Sequence, residues 1–225
     1  DLVGFVMEYN NMMEFTFGSW GPSTDPMFGL GFSSVNVGKT RISGLEFTFN
    51  GEGSINDKWD LGVLSGFNLS NPVSVFPDSI FAYNYQNTHG YTFNNTSSDT
   101  TGNFLKYRSR ISARLDLEFS YKKKISIGFS YQYNSKMNNI DWQFADPLFN
   151  DNSSYFGNGV DLGINNSMEK LNRGYHLMDF RIRIKLFKTT TLALMAENIF
   201  NTEYLVRPAN FGSPRTFMAQ VKVDF

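Results

Sequence analysis

The sequence predicts an all-β protein, the wall of an antiparallel transmembrane β-barrel built from about eight strands. Side chains alternate strictly between apolar and polar over long stretches, which puts the two sets on opposite faces of a strand. Several of those stretches far exceed the roughly 5–6 residues of an ordinary globular strand. The connections between them alternate between long and short.

Composition agrees. Only 18% of the 225 residues are charged, 16% are aromatic, and the formal net charge is -1. Mean hydropathy is still -0.31, because Asn, Ser, Thr and Gly fill the remainder. That mixture suits a sheet with one face in lipid and the other in water. There is no cysteine, which excludes disulfide scaffolds, thiol nucleophiles, zinc ribbons and iron–sulfur sites. No apolar run approaches the ~18 residues of a spanning helix.

Taken in order, the first strand covers about 2–17, with Val3, Phe5, Met7, Tyr9, Met13, Phe15 and Phe17 on one parity. A second, about 39–51, aligns Leu45, Phe47 and Phe49, and a third, about 59–70, aligns Leu61, Val63, Phe67 and Leu69. The fourth is read over Leu105 to Tyr121. Its odd positions run Leu105, Tyr107, Ser109, Ile111, Ala113, Leu115, Leu117, Phe119 and Tyr121. Its even positions carry a charged ladder, Lys106, Arg108, Arg110, Arg114, Asp116 and Glu118. After a Lys122-Lys123-Lys124 turn, Ile125 to Tyr133 alternates again. A sixth strand, about 175–187, sets Met178, Phe180, Ile182 and Ile184 against Asp179, Arg181, Arg183 and Lys185. The last two cover about 190–199 and 215–225.

Long polar connections at about 18–38, 71–103 and 136–174, with a middling one at 200–214, alternate with short turns. Outer-membrane barrels show this pattern, with long loops outside the cell and short turns in the periplasm. The charged ladder reads as a lumen wall whose charges pair across strands or with an enclosed plug, or as a lining for an anionic solute. Loop aromatics such as Trp20, Tyr83, Tyr85, Trp142, Tyr155 and Phe156 could contact a substrate, or pack loop against loop. Asp151, Asn152 and Asp161 could bind calcium, without the spacing of an EF-hand.

The catalytic inventory is thin, and no enzyme, cofactor or metal site is expected. No nucleophile elbow, phosphate-binding loop or His-Glu-x-x-His stretch occurs. The two histidines, His89 and His176, read as ordinary surface or interface residues. Basic residues confined to one strand parity make no groove for nucleic acid.

The final row Phe217, Ala219, Val221, Val223 and Phe225 resembles the C-terminal signal read by the outer-membrane barrel assembly machinery. Ala196-Glu197-Asn198-Ile199-Phe200-Asn201, then Tyr204, then Gly212-Ser213-Pro214-Arg215-Thr216-Phe217, resemble the end of a TonB-dependent outer-membrane receptor. Arg41-Ile42-Ser43-Gly44-Leu45-Glu46 is similar to an internal barrel segment of that family. The resemblance implies a 22-stranded barrel closed by an N-terminal plug. Residues 1–225 would then be the C-terminal portion of the barrel domain, with the plug absent from this sequence. It further implies import of a scarce nutrient, such as a siderophore, glycan or peptide, across the bacterial outer membrane. TonB, ExbB and ExbD would relay the energy, and the partners would be outer-membrane lipid and the rest of the barrel and plug. The segment associated with the SusC-like subgroup is missing, so a surface lipoprotein of the SusD type is permitted without being implied. The alternative is a complete eight-stranded barrel with a structural or adhesive role, whose narrow core would need Glu8, Glu14 and Glu46 to balance its cations.

Overall fold

The computed structural model describes residues 1–22, 24, 29–145, 163–208 and 210–223. Its strands are β1 (Leu2–Tyr9), β2 (Met13–Ser19), β3 (Leu30–Asn36), β4 (Thr40–Asn56), β5 (Trp59–Ser74), β6 (Ala82–Tyr83), β7 (Gly90–Tyr91), β8 (Ile111–Tyr121), β9 (Ile125–Asn134), β10 (Tyr175–Lys185), β11 (Thr190–Glu197), β12 (Leu205–Arg207), β13 (Asn210–Phe211) and β14 (Thr216–Val223). Eight of them form one antiparallel sheet in the order β1-β4-β5-β8-β9-β10-β11-β14, and the other six pair off as β2-β3, β6-β7 and β12-β13. β1 and β14 are the two edges, so the described residues form an open wall and not a closed eight-stranded barrel.

Register carries the alternation from strand to strand. Leu61, Phe119, Ile127, Ile182, Leu194 and Ala219 stand side by side, as do Trp59, Tyr121, Ile125, Ile184, Leu192 and Val221. The opposite face aligns Gly62, Glu118, Gly128, Arg181, Met195 and Met218. A slip of one residue would exchange the two faces, so each cross-strand row reinforces the others.

The structure departs from the sequence reading at three places. The first strand is broken at residues 10–12: only β1 joins the wall, while β2 turns away to pair with β3. Within β1, moreover, the row Val3, Phe5, Met7 and Tyr9 lies on the charged face, because Leu2 pairs with Phe47 and Gly4 with Leu45. Gly44 accounts for this: a Cβ there would sit 2.7 Å from Phe5 Cζ and 2.3 Å from the Leu69 carbonyl oxygen. The ring of Phe5 covers the space the glycine leaves, as aromatic neighbours do for strand glycines. Third, the strand read from Leu105 begins only at Ile111. Tyr107 has φ +59°, outside the range of any strand, and that residue ends the apparent ladder.

Three short turns, β4–β5, β8–β9 and β10–β11, share one end of the sheet. Lys122 and Lys123 both have positive φ, 48° and 54°, and the Lys124 N–H donates to the Tyr121 carbonyl at 2.9 Å. The connection is three residues long, Lys122 to Lys124, and positive φ at successive turn positions favours Gly, Asn or Asp. Holding an L-residue there costs ~1–2 kcal/mol each.

The buried core lies in the long connections and not in the wall. Met137, Ile140, Phe144, Met168 and Leu205 form it, with Phe17, Tyr107 and Leu171 packed against them. Isolated bridges Ser97–Asp141, Ser109–Met137 and Val73–Phe104 tie those connections to each other and to β5. The described parts of the long connections thus form a packed cap at one end of the sheet.

Candidate functional site

The charged face of the wall is hollowed. A cavity of about 860 Å³ opens there, lined among others by Glu52, Asp60, Asp116, Glu118, Arg181, Arg183 and Lys185. Four of the predicted ladder residues meet in one network. Arg181 reaches across β9 to Asp116, with Nη2–Oδ1 at 2.6 Å and Nη1–Oδ2 at 3.0 Å. It also donates to Ser130 Oγ at 3.0 Å and Glu118 Oε2 at 3.3 Å. Arg183 donates to the other Glu118 oxygen at 3.3 Å, and Ser130 donates to Asp116 at 2.5 Å.

Such charge-assisted, two-pronged contacts fix geometry as well as energy. They are possible because Gly128 lies between: a Cβ there would stand 2.4 Å from Arg181 Nε. The Arg181 side chain therefore passes directly over the bare backbone of Gly128. Arg114 and Lys185 share this face by register. Asp179 instead faces the loop end, where its Oδ1 accepts the Asn198 N–H at 2.8 Å.

Lys106, Arg108 and Arg110 are not on the ladder, because they precede β8. Lys106 is buried in the cap, 6% exposed, beside Asp141 at 0%. Its Nζ donates to Asp141 Oδ1, to Thr16 Oγ1 at 3.3 Å and to Thr96 Oγ1 at 3.2 Å. The Tyr107 hydroxyl and the Phe17 N–H donate to the other carboxylate oxygen, the latter at 3.2 Å. Burial dominates the electrostatics here. It pushes the Asp141 carboxyl above its usual range and the Lys106 ammonium below its own, each partly offset by the other. The Tyr107 phenol is raised as well, by burial and then by the Asp141 charge. Arg108 pairs with Glu14, and the Arg110 guanidinium lies 5.6 Å over the Phe104 ring. The Lys106–Asp141 pair carries no sequence signal, since its partners are 35 residues apart in different connections.

The loop aromatics divide. Trp20 packs on Tyr91 at 5.1 Å and donates to the Gly31 carbonyl at 2.9 Å, and Trp142 opens a short turn of the cap. Tyr83 and Tyr85 stay exposed. Tyr155, Phe156 and the calcium candidates Asp151, Asn152 and Asp161 lie outside the described residues. On β14, Phe217, Val221 and Val223 occupy the apolar face opposite Ala196, Leu192 and Thr190, and Phe225 lies outside the described residues. In the Ala196–Asn201 stretch the asparagines take positive φ, 47° at Asn198 and 52° at Asn201. The buried Asn198 amide donates to the carbonyls of Thr202 at 2.9 Å and Ser213 at 3.1 Å, and accepts the Thr202 N–H at 2.8 Å. That motif clamps the β11–β14 connection.

The family model described as TonB dependent receptor-like, beta-barrel matches residues 1–199. The chain belongs to the TonB-dependent receptor family. No curated protein matches it. Among solved structures it is similar in fold to the ferric-catecholate import receptor Fiu of E. coli K12, at 17% identity and TM-score 0.54, covering 100% of this chain and 25% of that one. It is similar to FpvA of P. aeruginosa at 14% identity and TM-score 0.54, with coverages of 100% and 24%. For the ferric enterobactin receptor PfeA of Pseudomonas aeruginosa the values are 15%, 0.52, 100% and 28%. The chain thus spans about a quarter of the length of the receptors it matches. TonB-dependent receptors reside in the bacterial outer membrane, and this chain is a segment of such a barrel wall. The eight strands are therefore read as part of a large barrel, in place of a complete small one.

We propose that the hollow face is the lumen and that the apolar rows meet lipid. A cysteine at Arg183 in the full receptor, reconstituted in nanodiscs, should react with a charged thiol reagent. One at Ile182, on the neighbouring apolar row, should stay at least tenfold slower (roughly the effect of hydrocarbon shielding). Equal rates at both would contradict the two-faced wall.

Proposed function

We propose that residues 1–225 form the last eight strands and the attached outer cap of an importer that carries a scarce nutrient across the outer membrane. The whole receptor would be energised through TonB, ExbB and ExbD, with the rest of the barrel and a plug completing the path. The observation that carries this is the charged hollow. Arg181 and Arg183 are pinned to Asp116 and Glu118 on one face, while the other face is apolar from β4 to β14. A wall of that kind separates hydrocarbon from a polar interior. The similar receptors Fiu and PfeA are named for ferric-catecholate and ferric enterobactin, which favours a ferric chelate as the first substrate class to test. Tyr83 and Tyr85, exposed at the cap, are the proposed first contacts. Phe217, Val221 and Val223 with Phe225 are proposed as the signal for the barrel assembly machinery.

Cells carrying the full receptor should accumulate radiolabelled ferric siderophore, and deletion of tonB should reduce that uptake at least tenfold, towards passive leakage. Uptake that does not change without TonB would overturn the importer reading.

A further inference from the structure

We propose that the β8–β9 turn, together with the adjacent β4–β5 turn, binds the phosphate headgroup of an anionic phospholipid in the periplasmic leaflet. The leaflet rests on the orientation read above, in which short turns face the periplasm. The first support is backbone geometry. Lys122 and Lys123 both sit at positive φ, where Asn or Gly would be relaxed, so two lysines are held in a disfavoured conformation. Strain of this kind persists where it serves a site.

The second support is where the ammonium groups go. Lys123 and Lys124 line the lumenal hollow, whereas Lys122 Nζ stands 5.4 Å from the centroid of the Tyr121 ring. Tyr121 belongs to the apolar, lipid-facing row and packs on Trp59 at 4.9 Å. These two rings mark the end of the hydrocarbon-facing surface, the level at which Trp and Tyr meet lipid headgroups. Lys58 is in the neighbouring turn, joined by the Lys122 N–H donating to the Lys58 carbonyl at 2.7 Å.

Charge balance is the third support. Both lysines are exposed, and among the described residues neither has a carboxylate within 4.0 Å. The nearest acid in sequence, Asp57, shares the Lys58 turn without an ion pair. Two uncompensated ammonium groups just beyond an aromatic pair fit a phosphate carrying net negative charge better than a zwitterion, and Lys122 leans toward hydrocarbon and not toward the periplasm. An acidic protein partner would need the opposite lean.

The turn geometry supplies the test. Lys122→Asn with Lys123→Gly relaxes the backbone while removing the charge, so a failure to fold is not the expected result. Full receptor, delipidated in neutral detergent, would be offered phosphatidylglycerol, phosphatidylcholine or inorganic phosphate and read by native mass spectrometry. Wild type should retain phosphatidylglycerol in preference to phosphatidylcholine. Retention should fall about fivefold for each outward lysine removed, in Lys122→Asn/Lys123→Gly and separately in Lys58→Gln, with an unfolding midpoint no lower for the turn variant. Equal retention by wild type and both variants would overturn the site, as would equal retention of phosphatidylcholine. Inorganic phosphate that binds and leaves phosphatidylglycerol retention lysine-independent would also overturn it. TonB-dependent uptake is a separate reading: its failure would remove the importer assignment and leave the lipid result standing.

Discussion

Replacing Lys106 by methionine is expected to loosen the loop cap while leaving the wall intact. The substitution strands the Asp141 carboxylate, which is wholly buried and keeps, among the described residues, the Tyr107 hydroxyl and the Phe17 N–H as donors. Removing one member of a buried ion pair typically costs about 3–5 kcal/mol, because the remaining charge has neither water nor partner. The loss should be local, since the pair joins β2, the segment before β8 and the segment after β9. Hydrogen exchange on the full receptor is the measurement. Protection in 96–107 and 137–144 should drop by about a hundredfold or more, while the strands of the wall stay protected. Lys106→Met combined with Asp141→Leu should recover much of the loss, because no unpaired charge is left. If single and double variants open equally, lost packing and not the stranded charge is the cause.

The second large effect is expected at Gly128. Alanine there would place a Cβ 2.4 Å from Arg181 Nε and 2.6 Å from its Cγ, so the side chain must lift off the sheet. Lifting it breaks the two-pronged contact to Asp116 and the longer one to Glu118. Hydrogen bonds to charged groups contribute about 1.5–3 kcal/mol, and crowding adds about 1–3 kcal/mol. A loss of about 2–4 kcal/mol in the unfolding free energy of the full receptor is therefore expected. Gly62→Ala is the control: Gly62 is on the same face, and its added Cβ would meet only the Glu118 carbonyl oxygen at 3.9 Å. Should the two alanines cost the same, Arg181 is not held by the bare backbone of Gly128.

The wall was legible because its chemistry is periodic. In β8 to β10 and β14 each side chain's face follows from parity alone, and the eight strands pair in sequence order apart from the cap hairpins. The network of Arg181, Arg183, Asp116 and Glu118 was visible as one-face charges, although its pairing needed the register. Two kinds of information were hidden. In β1 the row Val3, Phe5, Met7 and Tyr9 lies on the charged face, with Phe5 over a glycine on the neighbouring strand, which no reading of β1 by itself reveals. At Lys106 the polar-apolar alternation ran on past the true start of β8, since Tyr107 in a left-handed conformation looks, as a letter, like any strand tyrosine. The cap escaped for a related reason. Its core is assembled from single apolar residues, Met137, Ile140, Phe144, Met168 and Leu205, spread through tracts rich in Asn and Ser that have no period to read.

The buried cluster in the cap also constrains how these connections can diverge. Thr16, Thr96, Lys106, Tyr107 and Asp141 come from three different connections yet share one ion pair and its hydrogen-bond partners. A change at any of these roots must be answered at another, while tips such as Tyr83 and Tyr85 carry no such debt. Lineages descended from this receptor should therefore exchange their tips freely and alter the roots only in concert.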